Sequence, residues 1–388
     1  MPFSELEPLQ EAIRSESLDG WLFCNFRHRD RISDEVLGVS QDTSNTRLWI
    51  YAIPRKGSPQ KILHAVEPAA LEHLPGEKTF YRSRDELLAA LKPLAGKSWG
   101  VQSSEYITAI SFLDAGTAAV LEKAGLSLVS AGALIQRFRG ILDSRGIASH
   151  ESAAVHLYEI VDLAWKLVKN SRSGSLCEGD LRGMMLAEME NRGLDPGHAP
   201  IVAAGANAGN PHYDFSGSGA EFRKGDVIQF DLWAKEKKPG AVWADISWIG
   251  VYAETPGKEY EKAFADLLGA RDKALAFIEE ELAARRKLTG AQVDRKTREV
   301  LTGLGYGQAL KHRTGHGIDT ELHGSGVNID SVEFPDDRLL LEGSCFSLEP
   351  GIYFENFGMR TEIDVYIKEG KPVVSGYPWG MQRRLLLC

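Results

Sequence analysis

Val227-Ile228-Gln229-Phe230-Asp231-Leu232-Trp233 and Trp243-Ala244-Asp245-Ile246-Ser247-Trp248-Ile249 are two apolar, strand-like runs joined by the polar turn Lys235-Glu236-Lys237-Lys238-Pro239-Gly240. They predict an antiparallel hairpin in which each strand carries one carboxylate among apolar neighbours. Residues 345–353 and 359–365 repeat the pattern across the turn Glu355-Asn356-Phe357-Gly358, bringing Glu349 and Glu362. Strand alternation puts Arg360, Glu362 and Asp364 on one face and Met359, Thr361, Ile363 and Val365 on the other. Four carboxylates converging on an apolar sheet would repel one another and lose hydration unless cations neutralise them. His316, in Thr314-Gly315-His316-Gly317, adds an imidazole, and its flanking glycines are expected to bring the backbone close to a metal or ligand. Hard oxygens with one nitrogen suit Mn²⁺, Co²⁺, Fe²⁺ or Zn²⁺, and bridging carboxylates would hold two ions ~3.5–4 Å apart.

Outward from this core, the second half of the chain reads as helices over 149–170, 178–191, 258–286 and 292–304, with hairpins following, as in an α+β domain. Residues 1–145 alternate strand patterns at 21–24, 48–53, 61–66, 99–102 and 126–130 with helical ones at 5–15, 86–94 and 115–123, predicting a small α/β domain. The crossover is placed at Arg137-Phe138-Arg139-Gly140-Ile141-Leu142-Asp143-Ser144-Arg145-Gly146, so the second domain is expected over 146–388. The first domain has no Gly-rich phosphate loop, and His28, His64 and His73 show no ligand spacing, so its expected role is assembly or access.

The 388 residues exceed the ~250–300 at which a single core stops growing, which agrees with two domains. A net charge of −9, with basic residues scattered among acids, argues against nucleic acid as a partner. No stretch approaches the ~18 apolar residues of a membrane span, and Met1-Pro2-Phe3-Ser4-Glu5-Leu6-Glu7 lacks the marks of a secretory signal, so a cytoplasmic protein is expected. Cys24, Cys177, Cys345 and Cys388 show no CxxC spacing, which argues against a zinc knuckle or redox pair.

Pro211-His212-Tyr213, Phe230-Asp231, Ala244-Asp245-Ile246, Thr314-Gly315-His316-Gly317-Ile318, Leu348-Glu349-Pro350-Gly351-Ile352-Tyr353 and Arg360-Thr361-Glu362, in this order, resemble the creatinase, aminopeptidase P and prolidase family of pita-bread peptidases. Within that family the chain looks most like a bacterial-type Xaa-Pro dipeptidase. The resemblance implies an α+β architecture, with a C-terminal pita-bread domain preceded by a smaller α/β creatinase-type domain. It also implies two divalent ions per subunit, Mn²⁺ foremost, with Asp231 on one ion, His316 and Glu349 on the other, and Asp245 and Glu362 bridging. Glu349 resembles the family's general base, His212 and His323 its substrate-side histidines, and His312 is a further candidate; Arg360 is placed to pair with a ligand carboxylate or with substrate. The implied reaction is hydrolysis of the bond before proline in short peptides, by a homodimer. An aminopeptidase P acting on longer Xaa-Pro peptides, and a non-catalytic pita-bread binding protein, are the alternatives.

The sequence departs from that pattern at three places. Asp245-Ile246 runs into Ser247-Trp248, where an indole could reshape the pocket or simply pack. His323 is followed by Gly324-Ser325-Gly326 rather than an acid and a proline. The arginine with which some prolidases hold a dipeptide's carboxylate has no clear counterpart, Arg338 being the only nearby candidate.

Overall fold

A computed structural model describes residues 6–378 and 380–388. The first five residues, and with them the reading of Met1 to Glu5 as free of a signal and the start of the expected helix at Glu5, lie outside the described residues. The chain divides into two compact units between Arg139 and Gly140. Residues 140–145 join the second unit because Leu142 N donates to Gly343 O (2.7 Å) and Ile141 bridges Ser344. Among the described residues no helix is long and apolar enough to cross a membrane.

The first unit comprises α1 (Leu6–Ser15), β1 (Gly20–Asn25), α2 (Arg31–Leu37), β2 (Trp49–Pro54), β3 (Gln60–His64), β4 (Glu77–Tyr81), α3 (Arg84–Leu91), β5 (Ser98–Val101), α4 (Ala115–Lys123), β6 (Ser127–Ser130) and α5 (Gly132–Phe138). Its strands form one sheet in the order β4-β3-β2-β1-β5-β6. Trp21 and Phe23 fill one core and Leu22 and Cys24 another, so β1 is buried on both faces and reads as a continuous apolar run. The α2, β4 and α5 elements escape a reading by periodicity. Strand β4 is mostly exposed and polar, and α2 and α5 span only seven residues each.

In the second unit α6 (Ser144–Asn170) starts earlier than its apolar pattern, because Asp143 caps it by accepting from Arg145 N and Gly146 N. There follow α7 (Glu178–Asn191), β7 (Leu194–Asp195), β8 (Ile201–Ala204), β9 (Val227–Glu236), β10 (Ala244–Val251), α8 (Lys258–Ala283), α9 (Gly290–Gly303), β11 (Cys345–Leu348), β12 (Gly351–Tyr353), β13 (Gly358–Arg360), β14 (Ile363–Lys368), β15 (Lys371–Val374) and β16 (Leu386–Leu387). The expected first hairpin forms, with Ser247 opposite Asp231 and Asp245 opposite Trp233. Strand β9 continues through Lys235 and Glu236 because Leu194 and Asp195 pair with them, which shortens the polar turn. Phe230, Leu232, Ala244 and Ile246 pack on Leu157, Val161 and Met185 of α6 and α7, leaving Asp231, Asp245 and Ser247 on the opposite face.

The second hairpin is interrupted. Strands β12 and β13 pair at its tip, β11 and β14 pair at its base, and Glu349-Pro350 and Thr361-Glu362 lie in the break between them. Proline has no N–H for a ladder, so the pairing opens where the two glutamates sit. Past β15 the tail returns to the β9–β10 sheet: Gln382 bonds both Ile249 N (3.0 Å) and Ile249 O (2.6 Å), and β16 lies parallel to β10.

Candidate metal centre

Asp231, Asp245, His316 and Glu362 are buried, and Glu349 is nearly so. Donor atoms of Asp245, His316 and Glu362 all lie within 4.8 Å of one another, a group that could hold a metal ion. His316 Nε2 stands 3.6 Å from both Asp245 Oδ2 and Glu349 Oε1. The Ser247 hydroxyl lies between Asp231 Oδ1 (3.0 Å) and Glu362 Oε2 (2.8 Å), and receives Arg360 Nε at 3.0 Å. All five residues expected as ligands therefore gather on one face of the β9–β10 sheet.

Asp245 Oδ1, Glu362 Oε1 and Asp364 Oδ1 are buried without a hydrogen-bond partner among the described residues. Buried carboxylate oxygens normally find donors, so three orphans in one cluster mark a place prepared for something positively charged. Burial first, and the neighbouring acids Asp231 and Asp245 next, drive the carboxyls of Asp245 and Glu362 well above the usual carboxylate range. Burial raises Glu349 to about 7 against the opposing charges of Arg360 and Arg313. Burial and then His323 hold His316 well below its ordinary value, hence neutral and able to offer a lone pair. These donors fit a hard divalent cation, which would reverse the carboxylate shifts.

Arg360 ion-pairs with Asp231 Oδ2 and donates to Tyr353 Oη (3.1 Å) and Pro211 O (3.2 Å). Its guanidinium is thus occupied by the Asp231 carboxylate rather than held open for substrate. His312 bonds Tyr353 Oη through Nε2 (2.7 Å) and Arg313 O through Nδ1 (2.6 Å). A carbonyl only accepts, so Nδ1 carries the proton and Nε2 accepts from the tyrosine. Burial and the Arg360 charge lower His312 to about 3, consistent with that neutral tautomer. With both ring nitrogens engaged, His312 positions Tyr353 and Arg360.

His323 lies edge-on to His316, with ring centroids 4.3 Å apart, and His212 is close enough for its charge to be felt at both His312 and His323. Three features refine the sequence reading. A Cβ on Gly315 would stand 1.9 Å from Ser347 O, so this glycine admits β11 rather than a metal. A Cβ on Gly324 would stand 2.6 Å from the Asp319 carboxyl, so the departure after His323 is a tightly packed turn. Trp248 faces away from the acids and packs edge-on against Tyr158, while its neighbour Ser247 does the work at the site.

Arg338 is also spoken for: it is bound to Asp336 (2.7 Å), Ser325 O (2.7 Å) and Gly326 O (2.6 Å), bracing the loop after His323. Sequence reasoning missed Glu178, at the start of α7. Its buried carboxylate accepts from Ala204 N (2.9 Å), Asn207 Nδ2 (2.9 Å), Tyr213 Oη (2.9 Å) and Ala220 N (2.7 Å), and so ties down the segment carrying His212. All four partners are donors, so Glu178→Gln turns an amide N–H₂ towards N–H groups and leaves buried donors unmet, at a cost of about 1–3 kcal/mol. Its melting temperature should fall by roughly 3–10 °C with bound metal retained. A melt unchanged from the parent would show that the clamp is not structural.

Residues 150–369 match the model of metallopeptidase family M24. An Xaa-Pro dipeptidase of Lactobacillus delbrueckii subsp. lactis is 34% identical over 172 residues, 44% of this chain and 42% of the relative, so the match spans less than half of that enzyme's length. A probable dipeptidase PepE of Mycobacterium tuberculosis is 25% identical over 336 residues, 83% and 82% of the two chains. Among solved structures, the dipeptidase PepE of Mycobacterium ulcerans superposes with a TM-score of 0.72 at 20% identity, covering 99% of this chain and 97% of that one. The prolidase of Thermococcus sibiricus superposes with a TM-score of 0.65 at 23% identity, covering 99% and 98%. These two likenesses establish the fold, α+β of the pita-bread type with a smaller unit before it.

Proposed function

The chain belongs to metallopeptidase family M24, and on that premise we propose that it is a two-metal hydrolase of the bond before proline in Xaa-Pro dipeptides. The observation that carries this reading is the gathering of Asp231, Asp245, His316, Glu349 and Glu362 on one sheet face, with carboxylate oxygens left unpartnered. In this reading Asp231 would serve one cation, His316 and Glu349 the other, and Asp245 and Glu362 would be shared. Mn²⁺ suits such a donor set, as do Co²⁺, Zn²⁺ and Fe²⁺. Bound there, the cations would supply Lewis acidity, polarising the scissile carbonyl and lowering the pKa of water to roughly 7.

The chain's own residues do the rest. Glu349 takes the proton of the attacking water on its carboxylate and delivers it to the departing proline nitrogen. His323, lowered to about 4 by burial and then Arg313, is neutral and donates an N–H to the developing oxyanion, with His212 as the second substrate-side imidazole. Arg360 fixes Asp231, and His312 with Tyr353 fixes Arg360. Short proline peptides are the proposed substrates, and a homodimer in which the first unit governs access is the proposed assembly.

Chelator-stripped protein restored with Mn²⁺ and offered Gly-Pro and Gly-Pro-Gly tests the reading. It predicts metal-dependent release of proline from the dipeptide. Cleavage of the tripeptide alone would favour an aminopeptidase P, and cleavage of neither at full metal content would leave a non-catalytic binding protein.

A further inference from the structure

We infer that Asp364 and His150 are positioning residues for Asp245: they hold the outer edge of β10 and its entry, so that the Asp245 carboxylate stands where two cations can share it. The inference deepens the two-metal reading, on which it rests, and gives a role to two buried groups outside the five proposed ligands.

An antiparallel strand turns the N–H and C=O of every second residue away from its partner. Strand β10 pairs with β9 along one edge, and on the other β16 reaches only Gly250 and Val251. The backbone groups turned to that open edge are met one by one. His150 Nδ1 donates to Trp243 O (2.6 Å), the Asp364 carboxylate accepts from Asp245 N (2.7 Å), Ser247 O accepts from Glu362 N (3.2 Å), and Gln382 takes Ile249 N and O. Buried backbone groups need partners, and at the metal ligand itself the partner is a side chain instead of a strand.

The two side chains are also tied to each other. His150, Asp364 and Ser375 are all buried. Trp243 O can only accept, so His150 Nδ1 carries the proton. Burial holds His150 below its ordinary value, hence neutral, and Nε2 accepts from the Ser375 hydroxyl at 2.7 Å. Ser375 N in turn donates to Asp364 O (3.0 Å), which closes a ring from Trp243 through α6 and β14 back to Asp245.

Asp364 Oδ2 lies 3.8 Å from His150 Nε2, too far for a hydrogen bond, so among the described residues Asp245 N is the one donor to the Asp364 carboxylate. A buried carboxylate with a single N–H partner is costly to keep, and what it secures is position. Asp245 Oδ2 is held 3.6 Å from His316 Nε2 while Oδ1 is left open. A shared ligand must be aimed at two ions at once, so a displacement of ~1 Å at Asp245 is felt in metal affinity and in rate.

The test is calorimetric Mn²⁺ titration of the chelator-stripped full-length protein, with kcat and KM for Gly-Pro at saturating Mn²⁺, in the parent and in D364A, D364N, H150L and H150N. D364A should lower Mn²⁺ affinity and kcat by about 10–100-fold. KM should change little, because neither residue touches substrate. D364N keeps an oxygen to accept from Asp245 N and should stay close to the parent. H150L should lose less than D364A, since Trp243 is two residues from the ligand, and H150N, which keeps an N–H for Trp243 O, should recover most of that loss. D364A with the parent's affinity and kcat, even with a lowered melting temperature, overturns the inference, as does D364N damaged as far as D364A. If D364A does not fold, the His150 pair decides: H150L equal to the parent in affinity and kcat overturns the inference, and loss in H150L with recovery in H150N supports it. A parent that binds no Mn²⁺ would defeat the metal reading and this inference with it. A parent that binds two ions yet leaves Gly-Pro intact would defeat the Xaa-Pro reading alone, and calorimetry would still decide Asp364 and His150.

Discussion

Glu362→Ala is expected to lower metal-dependent turnover by at least about 10³-fold and to reduce bound metal, because the residue is proposed as a ligand shared by both ions. Glu362 Oε1 has no partner among the described residues, whereas Oε2 receives Ser247 at 2.8 Å, so the free oxygen is the one offered to a cation. Stability should move in the opposite direction. In metal-free protein, burial first and Asp245 next raise the Glu362 carboxyl well above its ordinary value. A carboxyl with a raised folded-state pKa costs nothing below its unfolded value of ~4.3 and destabilises progressively as pH rises towards the folded one. Metal-free parent should thus lose stability from about pH 4.3 upward, and Glu362→Ala should lose less. Metal content by mass spectrometry, turnover, and thermal melts at pH 5 and 8 check this. A variant with full metal and an unchanged rate would remove Glu362 from the centre.

Arg360→Met is expected to be the most destabilising single change at the site when metal is absent. Arg360 is the buried partner of Asp231 and also spans Ser247, Tyr353 and Pro211 O. Its removal strands Asp231 among the other acids, and breaking a buried pair on one side costs about 3–5 kcal/mol. For a unit of this size that is a fall of roughly 6–20 °C in melting temperature. Added Mn²⁺ should close much of the gap, since a cation takes over as counter-charge to Asp231. Equal losses with and without metal would mean that Arg360 acts through packing alone.

Much of this site is legible in the sequence, and the illegible part has a physical pattern. The β9–β10 hairpin follows from alternation over short distance, which is why Asp231 and Asp245 could be placed on one face. Alternation also makes Ser247 a site residue, two positions after Asp245, although the larger Trp248 draws attention first. The proline at 350 marks the break beside Glu349, which the reading of 345–353 as one strand passed over. What periodicity cannot see is pairing across long separations. Glu178 holds a segment 26–42 residues away, Arg360 reaches Asp231 over 129, and Asp294 reaches Thr314 and Ser331 over 20 and 37. Spacing likewise could not tell that Arg338 is used up in bracing a loop. The small elements α2, β4 and α5 escaped because they are short or exposed.

The most direct test of the central claim is an anomalous difference map from crystals of the Mn²⁺-loaded protein, collected near the manganese edge. The account predicts two peaks ~3.5–4 Å apart, with Asp245 and Glu362 touching both, Asp231 touching one, and His316 and Glu349 the other. A map with no peak at these residues in Mn²⁺-saturated crystals, or with one ion contacting all five, would contradict it.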